Sequence, residues 1–385
     1  MARVFDDLEL NYLKEVLSSG KLGWAQGGMV TRFEEAFARL VGSRYAIGRN
    51  ANMTALAQAV SVSGAGTGTE VICDPLVHFG GLAVLYFNAV PRFADVCRGT
   101  FNMDPESVRA NITPLTRALI VTNMWGLCAE LDQIRRICDQ HGIFMIEDCA
   151  HVIGSYWKGK HAGTYGDLGI FSFQQGKHLP TGDGGMMVTD RQDLYDKIYR
   201  EWAFSGESPA FLTLNYRMNE LTAAVGLGQV QRVMGYVERY TRNLRVLNEA
   251  ISGCAWIRQR EVPAEAGQSG YVWAAVWEGD EHGLDYGRFK EICQELELPL
   301  RFGFNQTPAY SYDIFRASTA YGVPDCPVRC PFYTAKSDYR YRDGLCPVAE
   351  ELLPRLMTTG LVEVSDEEVA RRAEKVRDAI RRMER

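Results

Sequence analysis

The sequence predicts an α/β protein: a mixed, mostly parallel sheet with helices on both faces, followed by a smaller α+β domain. Three features lead there. Between Tyr45 and Thr189 short β-type runs alternate with helix-like segments. Strands separated by helices need crossover connections, which build a parallel sheet buried on both faces. The last two runs are joined by a long polar turn instead, which makes the sheet mixed. Beyond Gly253 the composition changes, and aromatics, prolines and cysteines dominate as far as Pro347.

Taken in order, the strand candidates are Tyr45-Ala46-Ile47, Val71-Ile72-Cys73, Arg92-Phe93-Ala94, Ala118-Leu119-Ile120-Val121, Phe144-Met145-Ile146, Ile170-Phe171-Ser172-Phe173 and Met186-Met187-Val188. Helical candidates between the earlier ones lie at 54–62, 80–87, 105–110 and 131–140. A long helical pattern then runs from about Asn219 to Ala250. A boundary near residue 250 divides the chain into a large domain, 1–250 with an N-terminal arm, and a small C-terminal domain, 251–385. The chain closes on a helix whose Val369, Ala373, Val376, Ile380 and Met383 share one face, expected to pack on its own domain. There is no internal repeat and no low-complexity tract.

With 385 residues, 46% of them hydrophobic and 23% charged, the chain has enough apolar side chains for a sizeable core. Its net charge of −6 argues against a nucleic-acid binder. The longest mostly apolar stretch, Gly80 to Val90, is too short to span a bilayer, so no membrane partner is expected. No charged segment followed by an apolar run opens the chain, and no signal peptide is expected. The ten cysteines are scattered; Cys326 and Cys330 have no histidine pair nearby, so no metal site is expected. Reduced thiols in a cytoplasmic protein follow.

Two glycine-rich stretches do not carry phosphate-loop chemistry. Gly64-Ala65-Gly66-Thr67-Gly68 follows a helix and precedes a strand, the reverse of the dinucleotide fingerprint. Gly182-Asp183-Gly184-Gly185 lacks the Gly-Lys-Ser/Thr ending of a Walker loop. Chemistry is concentrated elsewhere. In Phe144-Met145-Ile146-Glu147-Asp148-Cys149-Ala150-His151 an apolar strand delivers two carboxylates at its C-terminal edge, where open α/β sheets bind ligands. In Ile170-Phe171-Ser172-Phe173-Gln174-Gln175-Gly176-Lys177-His178 a second strand emerges into a polar turn that holds one lysine. A lone lysine is ordinarily a solvated surface group. Here a hydroxyl, a lysine, a glycine-rich turn and another strand's aspartate occur together.

Pyridoxal phosphate chemistry needs these parts. A lysine bonds the cofactor, and a carboxylate keeps the pyridine nitrogen protonated so that the ring acts as an electron sink. The phosphate needs backbone amides at a helix N-terminus and hydroxyl donors, and an aromatic ring is useful against the cofactor's face.

The sequence resembles the pyridoxal phosphate-dependent sugar aminotransferases of the DegT/DnrJ/EryC1/StrS group over nearly its whole length. The resemblance is carried by Glu147 to His151, by Gly163-Thr164-Tyr165-Gly166-Asp167 running on to Phe173, and by Gln174 to Lys177. Thr181-Gly182-Asp183-Gly184-Gly185-Met186 and Asn215-Tyr216-Arg217-Met218-Asn219-Glu220-Leu221 continue it. It implies a fold-type I transferase with a seven-stranded sheet. Lys177 matches the Schiff-base lysine, Asp148 the partner of the pyridine nitrogen, Ser172 a phosphate-contacting hydroxyl and Phe79 the stacking ring. The helix opened by Asn52 and Met53 matches the phosphate-binding turn. Asn215 matches an asparagine that reaches the neighbouring subunit's phosphate, which implies a homodimer with shared active sites. Read without the resemblance, Asn215 is an N-cap for the following helix.

The chain departs from the group's pattern in three places. Asn52-Met53 replaces Gly-Thr, leaving Asn52 or Thr54 as the side-chain donor to the phosphate. His151 stands where many members have glutamine; it is expected to bond the cofactor's phenolic oxygen and to add a pH dependence. Asn123 stands where the group has a histidine before a Tyr-Gly pair. His178 reads equally as an exposed residue or as one that tunes the lysine. Tyr333, Tyr339 and Tyr341, with Lys336 and Arg340, read as a loop near the active site. The implied reaction is a ping-pong transfer of an amino group from glutamate or glutamine to a keto-sugar; relatives use nucleotide-linked keto-sugars, the leading expectation here, keto-cyclitols such as scyllo-inosose, and an aminoshikimate-type ketone. Lys177 argues against relatives that use the cofactor for dehydration, in which histidine replaces the lysine. A non-catalytic regulatory protein that keeps the fold is the alternative of another class.

Overall fold

The computed structural model describes residues 3–202, 214–322, 325–335 and 339–385. Helices α1 (Asp7–Ser19) and α2 (Met29–Val41) precede β1 (Tyr45–Arg49). There follow α3 (Asn52–Val62), β2 (Glu70–Cys73), α4 (Phe79–Leu85), β3 (Val90–Phe93), α5 (Pro105–Asn111), β4 (Thr116–Thr122), α6 (Leu131–His141) and β5 (Phe144–Asp148). Short strands β6 (Tyr156–Trp157) and β7 (Lys160–His161) lead to β8 (Leu168–Ser172) and β9 (Gly185–Thr189). Helices α7 (Gln192–Trp202), α8 (Glu220–Val230) and α9 (Val233–Ala250) come next.

The main sheet has seven strands in the order β1-β9-β8-β5-β4-β2-β3. Pairing is parallel from β3 to β8, while β9 runs antiparallel to both β8 and β1. All seven expected strands lie in this sheet. Five begin earlier than expected, β2 and β9 by one residue and β3, β4 and β8 by two. β3 starts at Val90 because it is an edge strand, where the missing donor of Pro91 is tolerated. β8 starts at Leu168 and includes Gly169, where a Cβ would lie 2.2 Å from the Gly163 carbonyl oxygen; a strand reading based on side chains passes over it.

Alternation along the strands divides the core in two. Ile47, Val71, Ile120, Ile146 and Ile170 face one layer with α3 and α4. Ala46, Ile72, Leu119, Met145 and Phe171 face the other with α2, α6 and α8. The same alternation separates the two carboxylates of β5. Asp148 follows Ile146 toward α3, and Glu147 follows Met145 to the opposite layer.

The long helical pattern expected from Asn219 to Ala250 is two helices. The chain turns at Gln231 and Arg232, where the amide of Arg232 donates to the Gln229 carbonyl. The halves serve different cores. α8 is packed beneath α2 and α1, so tightly that Cβ atoms on Gly226 and Gly228 would strike Phe33 and Glu9. α9 instead places Tyr240, Leu244 and Leu247 against a second sheet.

That sheet belongs to the remainder of the chain: β10 (Ile257–Gln259), β11 (Ala266–Gly267), β12 (Val272–Trp277), α10 (Tyr286–Glu295), β13 (Arg301–Phe302), α11 (Asp313–Arg316), α12 (Pro347–Arg355), β14 (Leu356–Gly360) and α13 (Asp366–Met383). Its order is β10-β12-β14-β13, all antiparallel, while β11 joins β6 and β7. Val369, Ala373, Val376 and Ile380 of α13 are buried against Trp273, Trp277 and Phe289, and Met383 packs at the margin. The aromatic run is not beside the cavity described below. Tyr333 hydrogen-bonds Glu70, Tyr339 accepts from the Phe93 amide, and Tyr341 donates to the Pro91 carbonyl. These residues cover the β3 edge, which would otherwise stand open; Lys336 lies outside the described residues. Among the described residues no helix is long and apolar enough to cross a membrane.

Glu147 has a structural task. Its buried carboxylate accepts three amide hydrogens, from Gly163, Tyr165 and Gly166, each at 2.7 Å. It thereby ties the loop before β8 to β5. In Glu147→Gln the side-chain NH2 would face these donors, leaving at least one buried amide unpaired. We expect a stability loss of about 1–3 kcal/mol, measured by urea unfolding. An unchanged midpoint would show that the loop is held by other contacts.

Candidate active site

Three strand ends, of β4, β5 and β8, the starts of α3 and α4 and the turn that carries Lys177 converge on a cavity of about 280 Å³. Asn52, Met53, Phe79, Asp148, His151, Ser172 and Lys177 all line it. Seven of the residues singled out from sequence are thus brought together, although Asn52 and Lys177 are 125 positions apart. Asn215 is not among them. It is exposed; its side chain accepts from the Arg217 amide, and its carbonyl accepts from the Asn50 side chain, next to α3. The N-cap reading of Asn215 fails, because Asn219 caps α8 by accepting from the Thr222 amide.

α3 is preceded by Ala51, whose side chain offers no cap. Its first amides therefore lack acceptors within the helix, and the positive end of the helix faces the cavity. Gly185 of β9 lies directly against this turn, since a Cβ there would come within 2.8 Å of the Ala51 carbonyl carbon and the Asn52 nitrogen. Ser172 and Gly184 complete the surround. Of the two residues expected to replace the missing threonine hydroxyl, Thr54 spends its hydrogen within its own turn and Asn52 spends one of its two amide hydrogens. Thr54 donates to Asn50 and to the Ala51 carbonyl, and Asn52 donates to Asp148 at 3.4 Å. Backbone amides, Ser172 and the second Asn52 amide hydrogen are the donors that remain for an anion.

Asp148 is 2% exposed and also accepts from the Ala150 amide at 3.1 Å. Burial raises its pKa, while the Ala150 amide, the Lys177 charge and Asn52 oppose that rise. A buried carboxylate so placed fits a cationic ring nitrogen. Lys177 leaves a turn pinned by backbone bonds from Lys177 to Gln174 and from Gln175 to Gly182, each 2.8 Å. Arg3 adds side-chain bonds to the carbonyls of Gln175 and Lys177. This anchor was not foreseen: a single arginine in the arm carries no pattern.

The histidines differ from expectation. His178 is fully buried, because its ring bonds the Ser269 carbonyl at 3.0 Å. Burial holds its pKa down to about 3. His151 stacks on Tyr271 with ring centres 4.6 Å apart. Burial first, then the Lys177 charge, holds its pKa well below the usual value. The neutral ring is thus favoured at pH 7, and any pH dependence His151 adds is displaced below the usual histidine range. Asn123 is buried, accepting from the Ala129 amide at 3.0 Å, which makes it a loop anchor. Tyr271 was missed altogether: its hydroxyl lies 3.2 Å from the Lys177 amine, yet in sequence it is one aromatic in a strand-like run.

Comparison with known proteins places the chain in a family. Residues 4–336 match the DegT/DnrJ/EryC1/StrS aminotransferase family. The chain is 34% identical to GDP-perosamine synthase of Caulobacter vibrioides over 235 residues, 59% of this chain and 63% of that one. The match thus spans less than two thirds of that relative. It is 30% identical to L-glutamine:2-deoxy-scyllo-inosose aminotransferase of Streptomyces kanamyceticus over 329 residues, 79% of this chain and 75% of that one. Its fold superimposes on the crystal structure of 3-amino-5-hydroxybenzoic acid synthase with a TM-score of 0.82 at 26% identity, covering 99% of this chain and 98% of the other. The fold is that of fold-type I pyridoxal phosphate aminotransferases.

The fit between α3 and Gly185 gives a direct test. Gly185→Ala must push the first turn of α3 away, since its neighbours there are backbone atoms. We expect the Kd for pyridoxal phosphate, followed by absorbance, to rise at least about tenfold, the equivalent of one lost hydrogen bond to a charged group. Unchanged affinity would show that these amides do not hold the phosphate.

Proposed function

We propose, since the chain belongs to the DegT/DnrJ/EryC1/StrS aminotransferase family, that it transfers an amino group from glutamate or glutamine to a keto-sugar in two half-reactions. The observation that carries this reading is the convergence of Lys177, Asp148, Ser172 and the uncapped start of α3 on one cavity. Pyridoxal phosphate, when bound, supplies the carbonyl that takes up the amino group and a ring that spreads the electron pair left by proton removal. The amides of α3 and the Ser172 hydroxyl hold the phosphate. Asp148 keeps a proton on the ring nitrogen, and Phe79 and neutral His151 bound the ring. Lys177 bonds the cofactor at rest. Its free amine would take the proton from the donor's amino-bearing carbon and would perform the reverse transfer on the acceptor.

We assign the acceptor to the nucleotide-linked keto-sugars, in line with the similarity to a GDP-perosamine synthase. A keto-cyclitol is the second reading. It is favoured by the longer match to the scyllo-inosose aminotransferase. Adding each ketone to protein preloaded with amino groups by glutamate separates the two: the true acceptor restores the starting absorbance. The protein is proposed to act in the cytoplasm as a homodimer in which Asn215 reaches the partner's phosphate.

Lys177→Ala removes a turn side chain and no core volume, so the variant should fold, bind the cofactor without the visible band of the lysine adduct, and show no turnover. Normal turnover in the folded variant would overturn the assignment. Asn215→Ala should lose cofactor more readily than the parent while unfolding at the same temperature in its apo form. Mixed with Lys177→Ala subunits it should recover activity, because in a mixed dimer one site carries both defects and the other carries neither. No recovery after demonstrated subunit exchange would place the whole site within one chain.

A further inference from the structure

The segment from Ser269 to Tyr271 is built with unusual constraint for a stretch outside the main sheet. Ser269 is fully buried. Its amide donates to the Gly126 carbonyl at 3.0 Å, its hydroxyl accepts from Ser155 at 2.9 Å, and its carbonyl accepts from His178 at 3.0 Å. Gly270 has φ +64°, and a Cβ there would lie 2.3 Å from the backbone of Tyr240 in α9, so only glycine fits. The chain is thus clamped on both sides immediately before Tyr271, and the Tyr271 carbonyl accepts from Leu361 at 3.2 Å.

The Tyr271 ring is equally fixed. It stacks on His151 at 4.6 Å and lies against His178 at 5.2 Å. Its hydroxyl is left pointing at Lys177, whose amine donates to it at 3.2 Å while lying 5.3 Å from the ring centre. The other charged or titratable groups around the amine are Asp148, His151 and Asp183 on the cavity side, with His178 and Arg3 behind the turn.

We propose that Tyr271 is a positioning residue for Lys177. Its hydroxyl sets the direction of the amine across the cavity mouth and favours the ammonium form while the amine is free, because a hydrogen bond offered to the charged donor stabilises it. Tyr271 precedes β12, so this hydroxyl also ties the second sheet to the reacting nitrogen. The inference rests on the reading of Lys177 given above, and the test keeps the two separable.

The test is Tyr271→Phe, which keeps the ring and removes one oxygen. In apoprotein, the pH dependence of Lys177 acetylation by trace acetic anhydride, read by mass spectrometry of its peptide, should move down by about one pH unit, the size expected for a lost hydrogen bond to a charged group. In loaded protein, kcat should fall with KM for glutamate unchanged, and the unfolding temperature should hold. An unmoved acetylation midpoint in Tyr271→Phe would overturn the proposal. So would a midpoint that moves in Tyr271→Leu, where the ring is lost too, but not in Tyr271→Phe, since the ring alone would then be responsible. A Lys177→Ala protein that keeps the cofactor's visible band would instead overturn the reading of Lys177 itself.

Discussion

The site depends on one constraint, the alternation of side chains along β5. Successive residues of a buried strand face opposite layers, and this strand ends in two carboxylates. Glu147 falls on the layer of α2 and α6, where three backbone amides consume it. Asp148 falls on the layer of α3, where its partners leave it directed at the cavity. A shift of one residue in register would exchange these roles and leave both carboxylates without their partners. The pairing of Ile120 with Ile146 and of Asp148 with Ile170 fixes that register from both neighbours.

Around Asp148 the protein arranges charge with economy. The carboxylate is buried, and burial alone would favour its neutral form. The Lys177 ammonium and nearby donors counter this, and a cationic ring nitrogen would do so more strongly. The two adjacent histidines are neutral for the same reason that Asp148 is perturbed, their removal from water. With His151 and His178 uncharged, Lys177 faces no cationic histidine, and its amine lies 3.2 Å from the Tyr271 hydroxyl. Arg3 stays behind the turn, where its charge meets backbone carbonyls and Glu363.

Much of this was legible in the sequence, and the reasons are physical. Strands buried on both faces read as continuous apolar runs, so all seven were found. The motif around Lys177 and Asp148 was legible because its members are each local to a strand end. Three kinds of feature were hidden. Gly169 extends a strand through what it lacks, and no propensity reports that. The break between α8 and α9 is invisible because both halves are helical in pattern; α8 is buried nearly all round and α9 on one face, against different cores. Tyr271 and Arg3 approach Lys177 from positions distant in sequence, through contacts that exist only once the second sheet and the N-terminal arm are in place. His178 was misjudged for the same reason, because the Ser269 carbonyl that buries it comes from beyond residue 250.

The central claim is that Lys177, and no other lysine, bonds the cofactor. The most direct measurement is reduction of the protein loaded with pyridoxal phosphate by borohydride, followed by proteolysis and mass spectrometry. The account predicts one pyridoxyl group per chain, on the peptide that contains Lys177. A label on any other lysine, or no label in protein that demonstrably binds the cofactor, would contradict it.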